Sequence, residues 1–450
     1  GVAGMFYGNG TNTDHTFGNC VNHGDIKVLA SHEENHTVSK TTDSPYYYRI
    51  GGITGFGRTK TTGGCTNNGD ITVSGDIKIA ANSEYKEEAL VVAGCIGFKT
   101  SGHPAGKWEN NGDILVDATI SFDDEAAATY HPVAISGCFG PQPSNPDEGY
   151  NNGNITFNGK YEGTGTYVDI GGIYAGGQDA NDYNNKTPIK AKNTGNITIG
   201  DDAVIGSALY VGGIIGKTLT TTSPTSLENS GNIHIETNAS VVGKTYIGGI
   251  YGQFSGGNIK NLTNSGDITI DYTTNAKLCV GGIATYSVTG KSVTDVVNKG
   301  NITLTGTFNK SVNVGGIFAE MASANTSGTG LFTRVVNGEL GANGKPLDNK
   351  GKITMSGTCS YDVSGSAGTG VNALSIAGLC ASNHYQYRPG NMDDCHNYGD
   401  MEISGTIKGR CYMAGISVAC PIADKTVTNC SNCGDVIFSG TLSKSTNGIL

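Results

Sequence analysis

Residues 32–36 read HEENH, a match to the spacing H-E-x-x-H. On a helix, His32 and His36 would share one face and ligate zinc, and Glu33 would serve as the base that activates water. The flanking sequence argues against that helix. The preceding DIKVLAS has the character of a strand, and the following TVSKTTDSP shows no apolar stripe at helical spacing. A solvated loop is therefore expected there, with no zinc hydrolysis. CSNC at 430–433 is the only C-x-x-C, and it has no second ligand pair to complete a zinc site. Asp25, Asp70 and Asp113 recur at one position of a repeat. Calcium could bridge them, although solvated turn residues are the plainer reading. No catalytic, cofactor-binding or metal residue is assigned.

Two segments carry aromatic and cationic side chains together. DSPYYYRIGG contains Tyr46, Tyr47, Tyr48 and Arg49, and NHYQYRPGN contains Tyr385, Tyr387 and Arg388. On insertions from a rigid scaffold, such residues could stack on a sugar or on a protein of a host or neighbouring cell. They could equally cover the scaffold's side. A polysaccharide-cleaving enzyme would need paired carboxylates or a base beside cations, and no acidic cluster recurs on one face.

The positioning framework is a repeat. Asn-x-Gly recurs eleven times, at Asn22, Asn67, Asn110, Asn151, Asn193, Asn229, Asn264, Asn298, Asn349, Asn397 and Asn432, at intervals of 34 to 51 residues. Each is followed by apolar-polar-apolar, as in Ile197-Thr198-Ile199, the pattern of a strand with one buried face. A second block, such as VGGIIG at 211–216, precedes most anchors. One repeat thus reads as three strands and three turns, one coil of a solenoid. Stacked asparagines would satisfy one another's carboxamides. The glycine marks either a positive-φ bend or a place where a side chain would strike the next coil. The polar column is mostly threonine, but Lys27, Leu115, His234, Glu402 and Ile437 interrupt it, which disfavours a regular ice-binding face.

Composition agrees. Glycine is 70 of 450 residues, charged residues are 15%, and the net charge is −10. The negative balance disfavours nucleic acid. No apolar run is long enough to span a bilayer. The opening GVAGMFYG has neither an initiator Met nor a secretory signal, so a processed product or part of a longer chain is expected. Among the 12 cysteines, Cys20 and Cys65, Cys95 and Cys138, and Cys395 and Cys430 fall on adjacent coils. That spacing suits a disulfide. Ladder side chains point in parallel, however, so buried free thiols are expected.

Gly213-Ile214-Ile215-Gly216 and Gly249-Ile250-Tyr251-Gly252, with the following GNIKNLTNSGDI, resemble the GLUG-motif repeats of bacterial surface proteins. The resemblance covers almost the whole chain. Cys95, Cys138 and Ala377 depart from the strict motif, and 337–351 is a longer insertion. The resemblance implies a secreted or surface-anchored adhesin, or an accessory segment of an IgA-cleaving metallopeptidase, whose H-E-x-x-H lies in a separate catalytic domain.

The expected fold is all-β: a single-stranded parallel β-helix of about eleven coils, continuous over 1–450, and right-handed by the crossover rule. A two-sheet solenoid of similar pitch is the alternative. The expected function is non-enzymatic, extracellular and structural or adhesive. The chain would be a stalk, or a filament subunit associating end to end, with a surface glycan or protein as the other candidate partner. A carbohydrate-binding or carbohydrate-cleaving β-helix is the second reading.

Overall fold

A computed structural model describes residues 3–6, 18–31, 48–57, 61, 63–79, 88–99, 104–122, 132–141, 145–176, 188–218, 224–254, 257–287, 292–321, 331–360, 373–381, 390–418 and 425–443. The chain is a parallel β-solenoid, with no helix among these residues. HEENH, Tyr46, Tyr47, Tyr385, Tyr387 and Arg388 lie outside the described residues.

One coil shows the plan in its fullest form. Lys190–Asn193 is the asparagine strand and Ile197–Ile199 the isoleucine strand. Val204–Ile205 is a short side strand, Ala208–Gly212 the glycine strand and Ile215–Thr218 the exit strand. This coil therefore carries five strands where the sequence suggests three. The side and exit strands are too short to show a period of their own. Each strand pairs in parallel with its counterparts on neighbouring coils, as Asn151, Asn193 and Asn229 do. The asparagine sheet runs from Val21–Asn22 through eleven coils to Ser431–Asn432.

Two apolar cores fill each coil. The isoleucine and glycine strands enclose one, with Ile71, Val92, Ile135 and Ile197 among its residues. The asparagine and exit strands enclose the other, around Trp108, Phe139, Tyr174 and Leu227. Between them the coil is pinched. The second glycine of each Gly-Gly lies directly against a ladder asparagine. A Cβ on Gly213 would fall 2.5 Å from the Asn229 carboxamide and 2.1 Å from the Gly249 carbonyl oxygen. The two sequence blocks meet there, so the positions that must be Gly and those that are Asn are one contact.

The asparagine ladder satisfies itself. Asn67 Nδ2 donates to Gly69 O and to Asn110 Oδ1, both at 2.8 Å. The same pair of bonds recurs upward, with Asn193 reaching Gly195 O at 2.8 Å and Asn229 Oδ1 at 2.9 Å. The anchor glycine of Asn-x-Gly is required by closeness rather than by φ. A Cβ on Gly195 would lie 1.9 Å from Gly153 O, and among the described anchor glycines only Gly351 has positive φ, at 69°.

One rung differs from the sequence reading. Asn349 is not in the ladder; Asn337 takes that place. Asn298 Nδ2 donates to Asn337 Oδ1 at 2.8 Å, and Asn337 Nδ2 donates to Asn397 Oδ1 at 2.8 Å. The insertion splits the motif, so Asn337 reaches across it to Gly351 O at 2.8 Å. Val335 accordingly holds the apolar position two residues before the ladder asparagine, while Leu347, two before Asn349, is exposed.

Candidate functional site

Several glycine strands are buried on both faces, as are Leu90–Ala93, Tyr167–Gly171 and Ala373–Ala377. The cause is the Gly-Gly turn. A Cβ on Gly171 would lie 1.9 Å from Tyr174 O, so the exit strand folds back sharply and forms a re-entrant corner on the outside of the coil. The outward residues of successive glycine strands line it in register: Arg49, Val91 and Ala134, then Asp169, Tyr210 and Tyr246. Cys279, Asn313 and Ser375 continue the column.

At its middle this corner concentrates polar chemistry. Asp169 is fully buried; no side chain donates to its carboxylate oxygens, and the backbone amides of Gly176 and Lys217 approach closely enough to favour its charged form. Its carboxyl sits over Gly216, where a side chain would have no room. Burial pushes Asp169 well above the usual carboxylate range, against the pull of the Lys217 ammonium. Burial also draws Lys217 below its ordinary value, against Asp169. Lys217 Nζ lies 3.9 Å from the Tyr167 ring centroid and 5.1 Å from that of Tyr210. Tyr210 stacks on Tyr246 at 5.0 Å and 3°. Burial raises the Tyr210 phenol to about 12, with Asp169 adding to the shift.

Farther along, Asn313 Nδ2 donates to Glu320 Oε1 at 2.6 Å, and Lys277 pairs with the same carboxylate. At the near end, Arg49 donates to Glu88 O at 2.7 Å, pairs with the Glu88 carboxylate at 3.4 Å and lies 4.8 Å from the Phe98 ring centroid. Tyr48 and Arg49 thus belong to the strand Tyr48–Gly51 rather than to an insertion. Tyr48 packs against the core, and Arg49 is engaged within the corner.

Asp169 faces the Lys217 ammonium, and the Glu88 carboxylate lies near enough to add to its upward shift. The half-buried edges of Tyr210, Tyr246 and Lys217 offer a surface for recognition. Sequence reasoning passed over this cluster. The available signal was an aspartate inside the apolar strand YVDIG, where neighbouring copies hold Val91 and Ala134.

The acidic column has a structural use. Asp113 N–H donates to Asp70 Oδ1 at 2.8 Å and Asn154 N–H to Asp113 Oδ1 at 2.7 Å, and the pattern recurs to Lys352 N–H on Asn301, breaks at the Lys352 side chain, which cannot accept, and resumes with Asp435 on Asp400. Each carboxylate or carboxamide thereby accepts the amide of the next coil, which offsets like-charge stacking. A shallow groove of about 470 Å³ runs beside it, lined by Asp70, Asp113, Asn154, Asn196 and neighbouring threonines. Among the described residues, no group of three or more His, Cys, Asp or Glu is placed to hold a metal ion, and no helix is long and apolar enough to cross a membrane. The described cysteines are free, and Cys430 Sγ faces Thr428 O at 3.1 Å.

Comparisons with family models, with curated proteins and with solved structures give no match to this chain.

Proposed function

We propose that the chain is a non-enzymatic, extracellular rod of the GLUG-repeat type, serving as a surface stalk or as a filament subunit that associates end to end. The supporting observation is the ladder of asparagines linked through eleven coils, with the flanking sheets in register beside it. Bending such a rod strains every ladder at once. At about 4.8 Å per coil, eleven coils extend about 50 Å. Electron microscopy of the protein as isolated tests this. Rods of that length, or fibres with that axial repeat, support the proposal, and the fibres assign the filament role. Compact particles without an elongated axis overturn it.

A second reading, glycan recognition, is favoured by the stacked Tyr210 and Tyr246 beside Lys217. On this reading the rod presents a binding edge along its side. Binding on a glycan array that Lys217→Ala lowers at least tenfold supports it, and binding indifferent to that change rejects it.

A further inference from the structure

Three pairs of cysteines stand on adjacent coils. Cys20 lies opposite Cys65, because Val21 pairs with Thr66. Cys395 lies opposite Cys430, because His396 pairs with Ser431. Cys95 donates its N–H to Cys138 O at 3.1 Å. Register neighbours in a parallel ladder lie about 4.8 Å apart, inside the Cα window that a disulfide spans, and in both end pairs the two thiols lean together within hydrogen-bonding reach rather than standing parallel. The first two pairs share one column, two residues before the ladder asparagine, where the coils between, from Trp108 to Val335, carry no cysteine. In both, the inner thiol, Cys65 or Cys395, is buried, while the outer one, Cys20 or Cys430, is only half-buried. Cys20 N–H already donates to Cys65 Sγ at 3.3 Å. Cys95 and Cys138 are both fully buried.

We propose that Cys20–Cys65 and Cys395–Cys430 are oxidation sites that close to inter-coil disulfides by exchange with a small-molecule disulfide, while Cys95–Cys138 stays reduced behind the coil wall. The outer thiolate attacks one sulfur of the small disulfide and releases one thiolate. The inner thiolate then attacks the mixed disulfide at the outer cysteine and releases the second. The protein loses two protons and two electrons per bridge, and one small disulfide becomes two thiols. Burial, with the neighbouring thiol adding to it, raises Cys65 to about 11 and Cys395 to about 12. Closure therefore accelerates with pH, about tenfold per unit while the inner thiol remains mostly protonated. The inference stands apart from the rod's role as stalk or filament.

The test uses the full chain with oxidised glutathione, followed by alkylation, digestion without reduction and mass spectrometry. The expected products are Cys20–Cys65 and Cys395–Cys430 cross-links, with Cys95 and Cys138 alkylated only after denaturation. Cys20→Ser and Cys430→Ser each abolish their own cross-link and spare the other, and Cys433→Ser spares both. Unresolved glutathione adducts at Cys20 or Cys430 overturn the proposal. So do a Cys430–Cys433 bridge in place of Cys395–Cys430, loss of that bridge in Cys433→Ser, and closure of Cys95–Cys138 at a matching rate.

Discussion

On its inner side, the Gly-Gly turn meets an asparagine on coil after coil, from Gly52 against Asn67 to Gly415 against Asn432. On its outer side, the same turn faces arginine, valine, alanine, aspartate and tyrosine in succession. The inner contact can only repeat. Each carboxamide is both acceptor for one neighbour and donor to the next, so a change at one level strands groups at two others. The outer corner is coupled along the axis only in patches of varied chemistry, as where Tyr210 stacks on Tyr246, Arg49 pairs with Glu88 and Lys277 with Glu320. Elsewhere its residues bond locally, as Asn313 does with Glu320. Constancy thus marks where the solenoid holds itself together, and variation marks where it is free to acquire a purpose.

The strongest way to break this contrast is to cut the inner ladder. Asn193→Ala removes the donor to Gly195 O and Asn229 Oδ1, and the acceptor that Asn151 Nδ2 uses at 2.8 Å. Three buried groups lose partners, so a loss of roughly 3–5 kcal/mol is expected in urea unfolding. A loss under about 1 kcal/mol would mean that the ladder decorates the fold rather than holding it. Gly213→Ala tests the other half of the contact. Its methyl would meet a backbone carbonyl at 2.1 Å, and about 3 kcal/mol of destabilisation is expected, with accelerated hydrogen exchange in the flanking coils.

The outer corner should respond less, and with pH. Asp169 is raised in the folded state, so its contribution to stability is fully present below its unfolded value near 3.9 and is lost as pH rises through its folded value. Lys217, drawn down, contributes above its unfolded value and loses that contribution as pH falls through its folded value. Asp169→Asn removes the first dependence and, by taking away the carboxylate that holds Lys217 up, draws Lys217 further down. Relative to the parent, the variant should gain stability between pH 4 and pH 8, on the order of 1 kcal/mol, in paired thermal melts. A constant difference across that range would show that Asp169 keeps its charge through the Lys217 pairing.

These two sides were not equally legible in the sequence. The inner ladder announces itself because stacking demands the same residue at each level, and Asn-x-Gly with its following Ile columns was enough to lay out the coils. That rule misled only where an insertion split the motif. Asn349 matches the spacing to Gly351, but Pro346 and Leu347 before it do not form the strand that VVN makes at Asn337. The outer corner was hidden for a different reason. Asp169 lies beside Lys217 only because the exit strand of the next coil folds back at Gly212–Gly213, and no local period reports which residues that fold-back brings together.

The smallest effect is expected at a third column, where the asparagine strands bend. Asn261, Asp295, Arg334, Asp394 and Asn429 occupy one register position and all have φ between 52° and 55°. Asn and Asp tolerate this left-handed region through short local hydrogen bonds; arginine does not, and its placement there costs about 1–2 kcal/mol. Arg334 recovers part of this through a two-pronged pair with Asp295, with Nη2 at 2.9 Å from Oδ2, which draws the Asp295 carboxyl down. Both partners are exposed, so solvent screens most of what the pair contributes. Arg334→Gly removes the strain and the pair together, and it also frees the unfolded backbone. The three terms nearly cancel, so a net change within about 1 kcal/mol is expected in urea unfolding. A loss of 2 kcal/mol or more would mean that the charged column contributes to the ladder as the asparagines do, and that the bend is held by side chains rather than by the sheet.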